Sequence, residues 1–244
     1  MAKKLITLEQ IKADVNIRNL IDRANKNLEC MGYTEHGLRH VGYVSKTTAN
    51  ILRMLGYDDR TVELGAITGW IHDIGNSVNR HLHGITGSVL AFNLLNKMGM
   101  DMEEISLIVG AIGNHEEQNG IPVSAISAAL IIADKSDAHR SRVRRKNYNV
   151  NDIHDRVNLS ISKNYLAVDR DKKLIRLVLF MDNKLSSFME YLEIYLSRMV
   201  LSEKAATFLG YNFELVINNT IINNQKTATL APYEKGNEEE VSEN

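Results

Sequence analysis

The chain has 244 residues, 44% hydrophobic and 24% charged, with a formal net charge of −1. That is enough apolar material for one sizeable core with an accessory unit, and the near balance of charge argues against broad electrostatic binding of DNA or RNA as the main role. No run of about 18 apolar residues occurs, the start from Met1 to Gln10 lacks a secretory h-region, and Cys30 is the only cysteine. Neither signal peptide, membrane span nor disulfide framework is therefore expected, and the cytoplasm is the expected compartment.

The first part of the chain reads as helical almost throughout. Val41, Val44, Thr48, Ile51, Leu52 and Leu55 recur at helical spacing, and Gly56 is placed to stop that helix. Asp58 or Asp59 starts the next, whose stripe of Leu64, Ile67 and Ile71 carries His72 and Asp73 to its end. Three more helices are expected over Ser88 to Met98, Met102 to Ile112 and Pro122 to Asp134, the last opening on a proline suited to a first helical turn. Asn151 to Lys163 reads as helix through Ile153, Val157 and Ile161. Tyr165 to Val168 and Leu174 to Met181 then flank a polar turn and predict a β-hairpin. A long helix from Ser186 to Leu209 stops at Gly210, and Phe213 to Ile217 can add a third strand.

The expected architecture is mostly α. A helical metal-binding domain over 1–150 precedes a helix and a ββαβ accessory unit over 151–221, expected as a small antiparallel sheet covered by a helix. A polar, acidic tail over 222–244 is expected to be disordered. Phe188, Leu192, Tyr195, Leu196 and Met199 form an apolar stripe on the long helix, suited to packing on the sheet or, alternatively, to a homodimer interface.

Chemistry concentrates in the first 145 residues, where six of the eight histidines lie between His36 and His115. His36, the pair His72-Asp73, then His83, His115 and Asp134 follow one another in an order that suits a mixed nitrogen and oxygen metal shell. Such ligands favour first-row divalent ions, Fe, Mn, Co, Ni or Zn, over Ca²⁺ or Mg²⁺. Asp73 can bridge two ions through its two oxygens. His40, one helical turn after His36 on the same face, competes with it, and His81 competes with His83.

These elements together resemble the HD superfamily of metal-dependent phosphohydrolases over about residues 30 to 145. His36 with Arg39 fits the family's H-x-x-R pattern, and His72-Asp73-Ile74-Gly75 fits the HD motif, with Asn76 where many members carry Lys. His83-Gly84-Ile85-Thr86-Gly87-Ser88, His115-Glu116 and Ala133-Asp134-Lys135-Ser136-Asp137-Ala138 are similar to the downstream elements of HD-GYP phosphodiesterases and dinucleoside polyphosphate hydrolases, although the GYP signature itself is absent. The resemblance implies an HD-domain helical bundle and two divalent transition-metal ions. His36, His72, Asp73 and Asp134 would hold one ion, and Asp73, His83 and His115 the other. It also implies hydrolysis of a phosphomonoester or phosphodiester, of a nucleotide or dinucleotide, by a metal-bridged hydroxide. Asp73 and Glu116 are the expected catalytic carboxylates, and Lys135 and Arg140, at the head of a basic run reaching Lys146, the expected phosphate binders. A diiron oxygenase of the same superfamily, and a nucleotide-binding regulatory module without turnover, are the alternatives.

Overall fold

The computed structural model describes residues 5–144, 148, 149 and 151–223. Arg145 and Lys146 of the basic run, and the expected tail from 224 onward, lie outside the described residues. The fold is mostly α, a helical bundle with a small four-stranded sheet toward its C-terminal end.

Two N-terminal helices, α1 (Leu8–Ala13) and α2 (Val15–Cys30), are joined at Asp14, which ends the first and caps the second by accepting from the amides of Asn16 and Ile17. Helix α3 (Leu38–Leu55) ends as predicted at Gly56, whose φ of 88° is the left-handed conformation that terminates helices. Asp58 caps α4 (Asp59–Ile71), and the chain then makes a 3₁₀ turn over Ile74–Ser77. Helices α5 (His83–Met98), α6 (Met102–Gly113) and α7 (Ala125–Lys135) complete the bundle: α3 packs along α4, α5 along α6, and α7 against α3, α4 and α6.

Helix α7 is buried along nearly its whole length, so Asp134 and Lys135 at its end are delivered into the protein interior. Glycines set the closest approaches around α4. A Cβ on Gly69 would stand 2.7 Å from the Ser45 Cα, and one on Gly75 would stand 1.9 Å from the His83 carbonyl oxygen.

Several boundaries differ from expectation. Helix α5 starts five residues before Ser88, because Leu82 adopts a left-handed φ of 54° that turns the chain straight into His83. Pro122 does not open α7; Ser124 does, its hydroxyl accepting from the Ser127 amide at 3.1 Å. The helix expected to run to Lys163 is the shorter α8 (Ile153–Ser160), since Ile161 is extended and pairs with Met181 across the sheet.

That sheet contains β1 (Ile161–Asp169), β2 (Leu174–Met181), β3 (Asn212–Ile217) and the short β4 (Thr220–Ile221), in spatial order β1-β2-β3-β4. The hairpin of β1 and β2 is antiparallel as predicted, but β3 runs parallel to β2, so the sheet is mixed and not antiparallel. The reason is α9 (Phe188–Phe208), which carries the chain back along the sheet before β3 begins, the crossover that a parallel neighbour requires. Tyr191, Tyr195 and Met199 of α9 are buried, and Phe188 and Leu192 are half-buried against the core, whereas Leu196 is 56% exposed and lies off that stripe. Helix α9 packs on β3 and more extensively on α7, so residues of the bundle and of the sheet share one hydrophobic core.

The Gly69 contact is between backbones, with no flexible side chain to yield. Gly69→Ala is expected to force α3 and α4 apart and to destabilise the fold by about 2–3 kcal/mol, seen as a lowered denaturant midpoint with an unchanged slope.

Candidate metal centre

Five histidines come together because each has its Nδ1 fixed by an acceptor. His72 at the end of α4 faces the Gly69 carbonyl at 2.9 Å, His115 the Ile112 carbonyl at 2.6 Å, and His36 the Thr34 carbonyl at 2.7 Å. His40 faces the carboxylate Asp137 Oδ2 at 2.6 Å, and His83 faces Glu116 Oε1 at 2.9 Å and the Arg80 carbonyl at 3.1 Å. Carbonyls and carboxylates accept only, so the Nδ1 of His36, His40, His72 and His115 must be the donor and their tautomer is set, whereas His83 Nδ1 also meets the Arg80 guanidinium at 3.2 Å. In the neutral ring a donating Nδ1 leaves Nε2 as the lone-pair nitrogen.

Asp73 lies between two pairs of these nitrogens. Its Oδ2 is 3.6 Å from the Nε2 of both His40 and His72, and its Oδ1 is 3.3 Å from that of His83 and 3.8 Å from that of His115. Asp134 Oδ1 completes the first side at 3.3 Å from His40 Nε2 and 3.7 Å from His72 Nε2. The side-chain amide of buried Asn76 donates to Asp73 Oδ1 at 2.9 Å and to the Asp73 backbone carbonyl at 3.1 Å, which fixes the carboxylate's rotation.

Two donor groups result, His40, His72 and Asp134, and His72, Asp73 and His115, each with its ligand atoms within 4.8 Å of one another, able to hold a metal ion. The Nε2 atoms of His40 and His72 are buried and make no hydrogen bond. An unpartnered buried nitrogen is costly, and a divalent cation among these atoms would satisfy both.

The electrostatics fit the same reading. Burial alone would raise the Asp73 and Asp134 carboxyls, yet both are held well below the usual carboxylate range, Asp73 by His72, His115 and His83, Asp134 by Lys135, His40 and His72. Burial pulls His115 down and His36 well down, so both are neutral. His83 and His40 go the other way: against burial, Asp73 and Glu116 together raise the His83 pKa to about 9, and Asp134 and Asp137 raise that of His40. His83 Nε2 lies 3.1 Å from His115 Nε2 and 3.3 Å from Asp73 Oδ1, so in the metal-free protein a proton stands between them.

Around the ligands runs a shell of paired charge. Buried Lys135 bridges Asp134 Oδ2 at 2.6 Å and Glu117 Oε1 at 2.9 Å, and Glu117 also meets Arg198 Nε of α9 at 3.1 Å. Asp137 accepts from His40 and from both terminal nitrogens of Arg39, with Arg142 Nε 3.7 Å away. His36, Asp73, Arg80, His83, Glu117, Asp134, Lys135, Arg142 and Arg198 line the resulting cleft, which encloses about 10 Å³.

Of the residues expected from sequence, His72, Asp73, His83, His115 and Asp134 converge. His40 occupies the place expected for His36 in the tighter donor group, while His36 stands at the cleft wall with its ring centroid 5.2 Å from that of His40. His81 is exposed. Glu116 accepts from His83 Nδ1 and from the Gly84 amide, so it positions a ligand histidine. Its carboxyl is lowered to about 2, because His83 and the Gly84 amide outweigh the opposing effect of burial. Lys135 reaches the cleft, but Arg140 does not: its Nε lies 3.4 Å from the Ile161 carbonyl, and it lines a separate cavity beside His139 and Tyr148. Glu117 and Arg198 were not anticipated; Glu117 directly follows the His115-Glu116 pair, whereas Arg198 on α9 carries no local signal. Asp137 stood within the Ala133 to Ala138 motif without an assigned role.

No protein-family model matches the chain. An uncharacterized protein of Methanocaldococcus jannaschii is 27% identical over 184 residues, which cover 65% of this chain and 69% of that protein. A crystal structure of a predicted HD superfamily hydrolase from an uncultured Thermotogales bacterium is 24% identical and covers 51% of this chain and 67% of that one, with a TM-score of 0.41.

Two outcomes are expected of the centre. Asp73→Ala should empty both sides, whereas His83→Ala or His115→Ala should chiefly weaken one, as read by metal per chain; full metal content in Asp73→Ala would refute the shared carboxylate. The metal-free protein should also lose stability at alkaline pH. The raised His83 pKa contributes stability that is fully present below its ordinary value of 6.5 and is lost as pH rises through about 9. Thermal melts of chelator-treated protein should fall across that window, and fall less in His83→Gln.

Proposed function

We propose that the protein is a metal-dependent phosphohydrolase of the HD type, holding two divalent transition-metal ions and cleaving a phosphomonoester or phosphodiester of a nucleotide. The single observation that carries this reading is the Asp73 carboxylate, with one oxygen toward His40 and His72 and the other toward His83 and His115. His40, His72, Asp73 and Asp134 would hold one ion, with His36 at its edge, and Asp73, His83 and His115 the other. Bound there, such ions supply an acidified water as nucleophile and neutralise charge on the phosphoryl oxygens.

The chain's own residues do the remaining work. Glu116 and Asp137 keep His83 and His40 in the ligating tautomer, as partners of metal-bound imidazoles do. With the charges of Asp73 and Asp134 met by metal, Lys135, Arg80 and Arg198 face the cleft, with Glu117 the counter-charge of Lys135 and Arg198, an environment for an incoming phosphoryl group. Lys135 is raised above its ordinary pKa by Asp134 and Glu117 despite burial, so it stays cationic. Arg198 makes α9 and the accessory unit a contributor to this wall. A cleft of about 10 Å³ has room for about one water, so the organic part of a substrate must lie outside it.

The reading is tested by metal analysis of the purified protein together with phosphate release from a nucleotide and dinucleotide panel under Mn²⁺, Fe²⁺, Co²⁺ and Ni²⁺. Close to two ions per chain with metal-dependent release is the expected result. Two irons with dioxygen consumption and no release would replace the hydrolase with an oxygenase, and tight nucleotide binding without turnover would replace it with a regulatory module.

A further inference from the structure

Beside the metal cleft, and sharing Arg80, His83 and Glu117 with it, lies a second cavity of about 290 Å³. Its remaining walls include Tyr33, Asn79 and Gln118. We propose that this cavity is the subsite for the base of a nucleoside monophosphate, with Tyr33 as its stacking platform and Asn79 and Gln118 as the groups that meet the base edge. The proposal rests on the phosphohydrolase reading only for where the phosphoryl end goes.

Three observations lead to it. Tyr33 sits on the segment between α2 and α3 and leaves 43% of its surface exposed, with the Arg80 guanidinium 5.4 Å from its ring centroid. An aromatic ring and a guanidinium plane at one cavity wall are the two side-chain surfaces on which a flat, electron-rich ring stacks. The rest of the lining is polar, which disfavours an alkyl chain: Asn79 spends its side-chain oxygen on the His81 amide at 2.9 Å, leaving its NH₂ to donate, and Gln118 offers both a donor and an acceptor. Finally, the volume is at the small end of ligand cavities, which run from about 300 to 1,000 Å³. It suits one base with its sugar and leaves no place for a second nucleoside.

Arg80 is common to both cavities and fixes the order of the ligand's parts. A phosphoryl group at the cleft mouth lies next to its guanidinium, and the base lies beyond it on Tyr33. That places the scissile bond between sugar and phosphorus at the wall the two cavities share, formed by His83 and Glu117. The substrate class is thereby narrowed within the proposed function to a phosphomonoester, a 5′- or 3′-nucleotide.

The test compares the four common ribonucleoside 5′-monophosphates with ribose 5-phosphate, which lacks only the base. Apparent affinity is taken from KM where a compound is hydrolysed and from calorimetry where it is not. The metal-loaded wild-type protein is expected to favour at least one nucleotide by about 5- to 150-fold, the range of a single base–aromatic stack. Tyr33→Ala should abolish that preference while leaving metal content and the affinity for ribose 5-phosphate unchanged, and Tyr33→Phe should restore it. No preference in the wild type, or a preference that survives Tyr33→Ala, overturns the subsite. Absence of hydrolysis with every metal would instead refute the phosphohydrolase reading and leave the affinity comparison to decide the subsite.

Discussion

The site depends on one constraint above all: a histidine whose Nδ1 proton is already committed has a single nitrogen left to offer. In His72, His115 and His36 the acceptor is a backbone carbonyl two or three residues away, so the orientation comes with the local chain geometry and costs little extra ordering. In His40 and His83 it is a carboxylate, Asp137 or Glu116, brought from a distant segment. The first kind of anchoring makes a ligand rigid. The second also makes it a stronger base, because a carboxylate behind the ring supports positive charge in front of it.

That arrangement would be unstable as an isolated set of charges. Asp73, Lys135 and Asp137 are buried and Asp134 is half-buried beside them, and burying unpaired charge costs several kcal/mol per ion even after relaxation. The fold answers by alternation. Arg39 and His40 flank Asp137, Lys135 lies between Asp134 and Glu117, and Arg198 closes the series on Glu117. Beside Asp73, however, the buried Nε2 atoms of His40 and His72 have no hydrogen-bond partner. The deficit is local and sits where a cation would lie.

Much of this was legible in the sequence, and for reasons that can be named. Caps and stops marked α3, α4 and α9 because Gly56, Asp58 and Gly210 act within one turn of their own chain, the glycines through a left-handed φ and Asp58 through its carboxylate on the Arg60 and Thr61 amides. His72-Asp73 and Asp134 stood out because ligand types end apolar helical runs there. Helix α5 was expected only from Ser88 and starts at His83; within its first turns Gly87 admits the close approach of the 3₁₀ turn at Gly75, and Gly84 admits the Ile112 carbonyl of α6. His36 and His40 were expected to share a helical face, but α3 begins only at Leu38, so His36 precedes it; His40 alone gains Asp137, which lies nearly a hundred residues away and becomes a partner only in the folded chain. The parallel pairing of β2 and β3 was within reach, since a long helix between adjacent strands demands it, but the pattern was taken for an antiparallel sheet.

Arg198 is the residue that no local rule finds, and its position explains why the C-terminal unit is built as it is. The crossover α9 must return along the sheet to start β3 parallel to β2, and in doing so it lies against α7, the helix that ends in Asp134 and Lys135. Tyr195, one turn earlier on α9, is buried and has its ring centroid 4.8 Å from the Arg198 guanidinium, so the arginine is held by stacking as well as by Glu117. A sheet of this topology therefore sets the register of α9 on α7, and that register sets a guanidinium at the cleft. The accessory unit is joined to the metal centre by packing and by charge at the same point, so loosening the sheet would move the wall of the site along with it.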